Sequence, residues 1–137
     1  MQQPEFTTLS LTLADQIAEV RLNRPDKSNA INEAMWQEIR QAFAWIDATP
    51  EARVAILSGA GKNFCAGIDL AMLAGVQQRI AHADGARSRE ALRRLILDLQ
   101  DCLSSLERCA KPVIAAIQGA CVGGALDMVT CCDMRYA

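Results

Sequence analysis

Two glycine-rich stretches of similar design can bind negative charge. An apolar run at 53–58 leads into the loop 59–69 (GAGKNFCAGID), and a second run at 113–118 leads into three glycines within 119–124. Glycine lets the backbone approach a ligand closely, and free N–H groups at a helix start attract anions. If the two runs are neighbouring strands, one N–H from each loop can converge on a single oxygen. That arrangement is an oxyanion hole, suited to an enolate or a tetrahedral intermediate. The simpler alternative is that these glycines only turn and cap the chain.

A lone carboxylate, Asp127, follows the second stretch inside an apolar run. It lies three residues after Gly124, in the first turn of a predicted helix, where the helix dipole favours a carboxylate. We expect Asp127 to be buried there, with a raised pKa that suits proton transfer near neutral pH. The alternative is a helix-start charge or a core hydrogen-bond acceptor. Asp133 is predicted to be a structural cap or an ion-pair partner of Arg135.

Other reactive side chains are assigned structural roles. His82, the single histidine, lies in a polar segment and is predicted to be solvated. Cys65 has no visible base nearby, so we expect it to pack rather than react. The six cysteines match no zinc spacing and are predicted to be reduced thiols. A solvated helix face, rather than a contact with phosphates, is the interpretation for Arg87, Arg89, Arg93 and Arg94.

The elements that must position these groups alternate between strands and helices. Strands 6–13 and 17–22 are predicted to form a hairpin, and Asn32 is expected to cap a helix that runs to about residue 48. The remaining predictions are a strand at 53–59, a short helix near Leu70, an ambiguous segment at 77–84, a long helix at 86–108, a strand at 113–119, a helix from Gly123 and a strand beginning at 135. Such alternation predicts an α/β fold with a parallel sheet covered by helices.

Composition narrows the class of protein. The chain has 137 residues, 51% of them apolar, and a net charge of −2, so it has no basic field for nucleic acid. Its N-terminus lacks the pattern of a secretory signal, and no apolar run approaches the roughly 18 residues of a membrane span. We therefore expect neither nucleic acid nor membrane as a partner, and a cytoplasmic or organelle-matrix location.

Three segments carry a resemblance to a known family: RLNRPDKSNAIN (21–32), AILSGAGKNFCAGIDL (55–70) and KPVIAAIQGACVGGALDMVTCCDMRYA (111–137). In their order and spacing they resemble the enoyl-CoA hydratase/isomerase family, also called the crotonase family. The resemblance spans essentially the whole chain. It implies a crotonase-like α/β spiral of ββα units, with residues 1–137 forming a single N-terminal core domain that ends before the C-terminal helices.

The same resemblance implies a site. The backbone N–H groups of Ile68 and Gly124 would form the oxyanion hole that holds the thioester carbonyl of an acyl-CoA, and Asp127 would move the proton. Coenzyme A is part of the substrate, so no separate cofactor and no metal are implied. The residues that the resemblance places along the CoA path are Lys27, Asn29, Ala30, Ala66, Gly67, Ile68, Asp69, Leu70, Gly123 and Gly124.

The residue at position 127 discriminates between branches of the family. Hydratases carry Glu there, whereas the branch that shifts a 3,5-dienoyl-CoA to a 2,4-dienoyl-CoA in fatty-acid β-oxidation carries Asp, as this chain does. The shorter side chain leaves room for proton removal at C2 and return at C6. An enoyl-CoA hydratase and a noncatalytic acyl-CoA-binding fragment remain the alternatives.

Length is the main departure from the family, whose members run to nearly double 137 residues. The resemblance places further catalytic carboxylates, and the helices that build a trimer or a dimer of trimers, beyond Ala137. We therefore expect the chain alone to be weakly active or inactive, and to expose an apolar face that favours association.

Overall fold

The computed structural model describes residues 2–137, which form a mixed α/β structure. The strands are β1 (Leu9–Ala14), β2 (Ile17–Leu22), β3 (Val54–Gly59), β4 (Val113–Ala116) and β5 (Met134–Tyr136). The helices are α1 (Glu33–Ala48), α2 (Leu70–Ala74), α3 (Val76–Ile80), α4 (Gly85–Arg108) and α5 (Gly124–Thr130), with a 3₁₀ turn at Pro25–Lys27. The predicted order of elements is confirmed, and the ambiguous segment contains most of α3.

The hairpin predicted at the N-terminus is confirmed. β1 and β2 pair antiparallel with Ala14 opposite Ile17, so two residues connect them. Asp15 and Gln16 both have positive φ, at 50° and 66°. Two consecutive residues of positive φ match the right-handed twist of the flanking strands, which is why a two-residue connection closes this hairpin.

The sheet has the order β1-β2-β3-β4-β5, and every pair after the hairpin is parallel. Strand residues that point to one face are buried: Leu9, Leu11, Ala18, Val20, Leu22, Ala55, Leu57, Val113 and Ala115. The alternate residues of β3 are only half-buried. The core therefore lies against one face of the sheet.

The two long helices pack together and carry the core residues. α1 begins where Asn32 accepts a hydrogen bond from the Met35 N–H at 2.9 Å, which confirms the predicted cap. α1 buries Ile39, Phe43 and Ile46, and α4 buries a shorter stripe near its C-terminus. The strongly polar N-terminal half of α4 lies outside that stripe.

The C-terminal residues tie α5 to the sheet. Asp133 Oδ2 accepts a hydrogen bond from the Val113 N–H at 2.8 Å, so Asp133 has a structural role at the start of β4, but it does not cap α5, whose C-cap is Cys131. The alternative ion pair with Arg135 is not formed within residues 2–137. Arg135 instead donates to the carbonyl groups of Val129 and Cys132, at the C-terminal end of α5 where a cation is favoured.

Candidate functional site

A small second layer forms where β2, β3 and β4 end. The chain after each strand returns as an extended segment, and these segments pair through isolated parallel bridges between Ile31 and Ile68 and between Cys65 and Cys121. Cys65 donates its N–H to the Ala120 carbonyl at 3.0 Å. Because the three strands are parallel, their carboxyl ends meet at one edge of the sheet, where ligands of α/β proteins bind.

Gly67 allows the two glycine-rich loops to lie in contact. Its φ is +94°, and a Cβ built on it would stand 2.7 Å from the Val122 carbonyl oxygen and 3.5 Å from the Gly124 nitrogen. Only glycine adopts that backbone conformation at low cost and leaves space for the neighbouring loop. The loop ending at Ile68 is therefore packed directly against the start of α5.

Within residues 2–137, the N–H groups of Ile68 and Gly124 donate no hydrogen bond. In the bridge to Ile31, the bonds run from the Ile31 N–H to the Gly67 carbonyl and from the Asp69 N–H to the Ile31 carbonyl. The N–H of Ile68 lies between these two bonded groups and donates to neither side of the bridge. Gly124 is the first residue of α5, where a helix N–H has no partner within the helix. Two unused donors thus lie on touching segments.

A cleft of about 560 Å³ is lined in part by Ile68, the residue that carries the first of these donors. Six of the eight residues that line it are among the predicted site residues, and Arg24 and Ala71 complete it: Arg24, Lys27, Ala30, Ala66, Ile68, Asp69, Leu70 and Ala71. Lys27 is exposed on its rim, and Leu70 is 78% exposed. The structure thus brings the residues of the first and second segments together around one opening.

The other predicted site residues lie outside the lining of this cleft: Asn29, Gly67, Gly123, Gly124 and Asp127. Asn29 is completely buried; its Nδ2 donates to the carbonyl groups of Ala60, Asn63 and Phe64, and its Oδ1 accepts from the Arg24 N–H. Its side chain holds two loops together and has no hydrogen-bonding group left for a ligand. Gly123, with φ +58°, provides the turn into α5.

The expectation that Asp127 is buried is wrong: its side chain is exposed. α5 buries Ala125, Met128 and Val129, so the opposite side of the helix, which carries Leu126 and Asp127, faces outward. The apolar run suggested burial on all sides, but a seven-residue helix packed on one sheet edge buries one face. The position in the first turn of the helix is confirmed.

Arg24 is a site residue that the sequence analysis did not single out. Its Nη1 lies 3.2 Å from Asp69 Oδ2 and also donates to the Ala30 carbonyl. Hydrogen bonds from the Met72 N–H and then from Arg24 hold the pKa of Asp69 below its usual range, against the effect of burial. The available signal was a charged residue two positions after β2, near the carboxyl end of a parallel strand.

The remaining reactive groups have the structural roles predicted for them. Burial raises the pKa of the Cys65 thiol to about 11, although the Gly67 N–H opposes the shift, so the thiol stays protonated. All six cysteines are free thiols. His82 is exposed, and so are the four arginines in the N-terminal part of α4: Arg87, Arg89, Arg93 and Arg94. Across residues 2–137 there is no cluster of His, Cys, Asp or Glu side chains that would hold a metal ion.

The parallel strands, the second layer and the cleft define the class: a mixed α/β protein with its candidate site at the carboxyl ends of three strands. A family model described as enoyl-CoA hydratase/isomerase matches residues 12–137. The chain belongs to the enoyl-CoA hydratase/isomerase family. The expected crotonase-like fold is confirmed by a crystal structure of an enoyl-CoA hydratase/isomerase from Xanthobacter autotrophicus Py2, with a TM-score of 0.82 and 30% identity over 96% of this chain and 46% of that one.

Two curated relatives are dienoyl-CoA isomerases. The peroxisomal Δ(3,5)-Δ(2,4)-dienoyl-CoA isomerase of Arabidopsis thaliana is 47% identical over 116 residues, which are 84% of this chain and 42% of the relative. The mitochondrial enzyme of Homo sapiens is 42% identical over 132 residues, which are 96% of this chain and 40% of the relative. The chain therefore spans about two fifths of the length of these relatives. Among residues 2–137, no helix is both long enough and apolar enough to cross a membrane.

Proposed function

We propose that this chain carries the enolate-stabilising part of an acyl-CoA isomerase site, which converts a 3,5-dienoyl-CoA into a 2,4-dienoyl-CoA. The observation that carries the proposal is the pair of unused N–H groups, on Ile68 and Gly124, in adjoining loops beside a cleft. Preorganised N–H donors aimed at a developing oxyanion lower the barrier to enolate formation. The names of the relatives add support for the dienoyl substrate.

In the proposed reaction, the thioester oxygen accepts hydrogen bonds from Ile68 and Gly124. These bonds make the C2 proton acidic, and a base removes it to leave an enolate that is conjugated with both C=C bonds, so that its electrons extend to C6. A proton is returned at C6, so the 3,5-diene becomes a 2,4-diene conjugated with the thioester, with no net gain or loss of atoms. Asp127 is the acid/base group that we assign within this chain. The family resemblance assigns its partner carboxylates to residues after position 137.

The surroundings of Asp127 suit a carboxylate that is covered by substrate. Two apolar side chains near Asp127 in the sequence are exposed: Val122, before α5, is 52% exposed, and Leu126, within α5, is 56% exposed. An acyl chain lying on these side chains would exclude water from them. Asp127 would then lie against the bound substrate, in position to exchange a proton with carbon.

Hydration of an enoyl-CoA is the second candidate. The matching family model is described as both hydratase and isomerase, and both reactions use an enolate held by an oxyanion hole. Asp127 in place of Glu disfavours hydration. The two reactions differ in near-UV absorbance, because isomerisation creates a conjugated dienoyl thioester whereas hydration removes the enoyl chromophore.

The test compares wild type with Asp127→Asn on both substrates in the full-length protein, because the chain alone is expected to be weakly active or inactive. We expect absorbance to rise with a 3,5-dienoyl-CoA, and Asp127→Asn to lower the rate by about 100-fold or more while acyl-CoA affinity is unchanged. Glu51→Gln, at an exposed carboxylate on the turn after α1, is the matched control and should keep the wild-type rate. Full turnover in Asp127→Asn would refute the acid/base role. Full-length wild type that binds acyl-CoA and turns over neither substrate would support a binding module instead.

The assembly and the compartment of the whole protein are also proposals. We propose that the full-length protein is a trimer or hexamer, in line with the family resemblance. Names of the relatives specify peroxisomal and mitochondrial enzymes. We propose the matrix of such an organelle or, in an organism without them, the cytoplasm. Fractionation with an antibody to the chain tests the compartment.

A further inference from the structure

We infer that Arg24 and Asp69 form a positioning clamp whose role is to aim the Ile68 N–H at the substrate oxygen. The clamp consists of Arg24 Nη1, Asp69 Oδ2 at 3.2 Å and the Ala30 carbonyl, to which the same Nη1 donates. This inference rests on the proposed function, because in that function the Ile68 N–H donates a hydrogen bond to the thioester oxygen of the substrate.

The clamp closes around the residue that carries the donor. Ile68 is held between Gly67, whose carbonyl accepts from the Ile31 N–H at 2.8 Å, and Asp69, whose N–H donates to the Ile31 carbonyl at 2.9 Å. Those two bonds face Ile31, so the Ile68 N–H is left on the other side of its segment. A rotation of the Ile68–Asp69 backbone would break the Asp69 bond and turn the donor away.

Asp69 is fixed by two elements at once. Its Oδ1 accepts from the Met72 N–H at 3.1 Å, which caps α2, while Oδ2 binds Arg24. Side chains of Arg24 and Asp69 are only 18% and 16% exposed, so solvent screens their attraction less than it screens a surface pair. The Asp69 carboxylate therefore joins the start of α2 to the loop after β2. It does so from the position next to Ile68.

Arg24 is itself anchored to the scaffold. Its N–H donates to Asn29 Oδ1 at 2.8 Å, and its carbonyl accepts from the N–H groups of Lys27 and Asn29. Asn29 is completely buried. An arginine whose backbone is anchored in this way can hold the Ile68–Asp69 segment in one geometry. That geometry matters because a small misplacement of a catalytic donor lowers the reaction rate strongly.

The first test examines the clamp without any ligand. Amide NMR of the chain should show that Arg24→Ala and Asp69→Asn shift the Ile68 resonance and speed its hydrogen exchange, while circular dichroism stays unchanged. Arg21→Ala is the matched control, because it breaks the exposed Arg21–Glu19 pair on β2, with the same charge change, and should leave Ile68 unaffected. If Arg24→Ala does not fold, Asp69→Asn and Arg24→Lys carry the test. An Ile68 amide that is unchanged in the clamp variants overturns the inference.

The second test uses a 3,5-dienoyl-CoA with ¹³C at the thioester carbonyl and infrared difference spectroscopy. Binding to wild type should shift the carbonyl stretch of the substrate to lower frequency. Most of that shift should be absent on binding to Arg24→Ala, and part of it should return on binding to Arg24→Lys. Affinity for CoA without an acyl group should not change. A fall in that affinity with the carbonyl shift retained would make Arg24 a ligand contact and overturn the inference. Absence of the shift in wild type would refute the proposed function, and the amide data would still decide whether the clamp exists.

Discussion

Individual glycines in the two loops have different reasons to be glycine. Gly67 has φ +94° and no space for a Cβ, because the Val122 carbonyl would stand 2.7 Å away. A Cβ on Gly124 would instead meet Ile31 and Trp36 at 3.6–3.8 Å, which is ordinary van der Waals contact. Position 67 therefore requires glycine for the fold of the site, whereas position 124 has room for alanine.

We predict that Gly67→Ala lowers the free energy of unfolding by about 1–3 kcal/mol, because it adds backbone strain and a steric clash. Gly75→Ala is the matched control. Gly75 has φ −79°, and its Cβ would meet only carbonyl oxygens at 3.5 and 3.6 Å. Alanine there should stabilise the chain by about 0.4–1 kcal/mol, because it restricts the unfolded state. Urea unfolding measures both, and equal effects of the two changes would contradict the explanation.

Between elements, a buried carboxylate joins α1 to the segment before β1. Glu38 is 9% exposed and accepts four hydrogen bonds, from the backbone N–H and the hydroxyl of both Thr7 and Thr8. Burial by itself raises the pKa of Glu38, but these four bonds outweigh it and hold the pKa below the ordinary value of 4.5. The predicted strand began at residue 6; β1 begins at Leu9 because the threonines bond to Glu38.

This lowered pKa predicts a pH-dependent contribution to stability. A carboxylate whose pKa is lower in the folded state stabilises the fold above its unfolded pKa, and the contribution is lost as pH falls through the folded pKa. Glu38→Gln should cost about 2 kcal/mol at pH 7, where charge-assisted hydrogen bonds are lost. The gap between wild type and variant should narrow below pH 4.5, as shown by urea unfolding at stepwise pH. A gap that stays constant down to pH 2 would show that ionisation is not the cause.

At the scale of the whole molecule, the C-terminal elements leave apolar surface open. Leu126, Met134 and Tyr136 are 56%, 45% and 59% exposed, and β5 is an edge strand of the sheet. The expectation of an exposed apolar face is thereby confirmed. Edge strands offer unpaired backbone groups to other chains, and apolar side chains strengthen such contacts.

We predict that the chain self-associates through this edge. Sedimentation velocity should show a mean mass that rises with concentration, and Met134→Lys should reduce the association because a charge on an edge strand opposes pairing. Leu97→Lys is the control, since Leu97 is 47% exposed on α4, away from the edge. A monomer at all concentrations, or equal effects of the two lysines, would contradict the prediction.

The sequence by itself determined the order of the elements, the Asn32 cap, the hairpin and the glycine loops after parallel strands. These depend on local signals, namely turn residues, helical spacing and residue motifs, which are readable without the fold. Tertiary structure decided what the sequence analysis missed or placed wrongly. Asp127 is exposed because α5 packs through one face only. β1 starts later than predicted because Thr7 and Thr8 bond to Glu38, about 30 positions further along the chain. Arg24 joins the site because Asp69, 45 positions distant, folds against it. Burial and ion pairing depend on which distant segments meet, and that is set by packing.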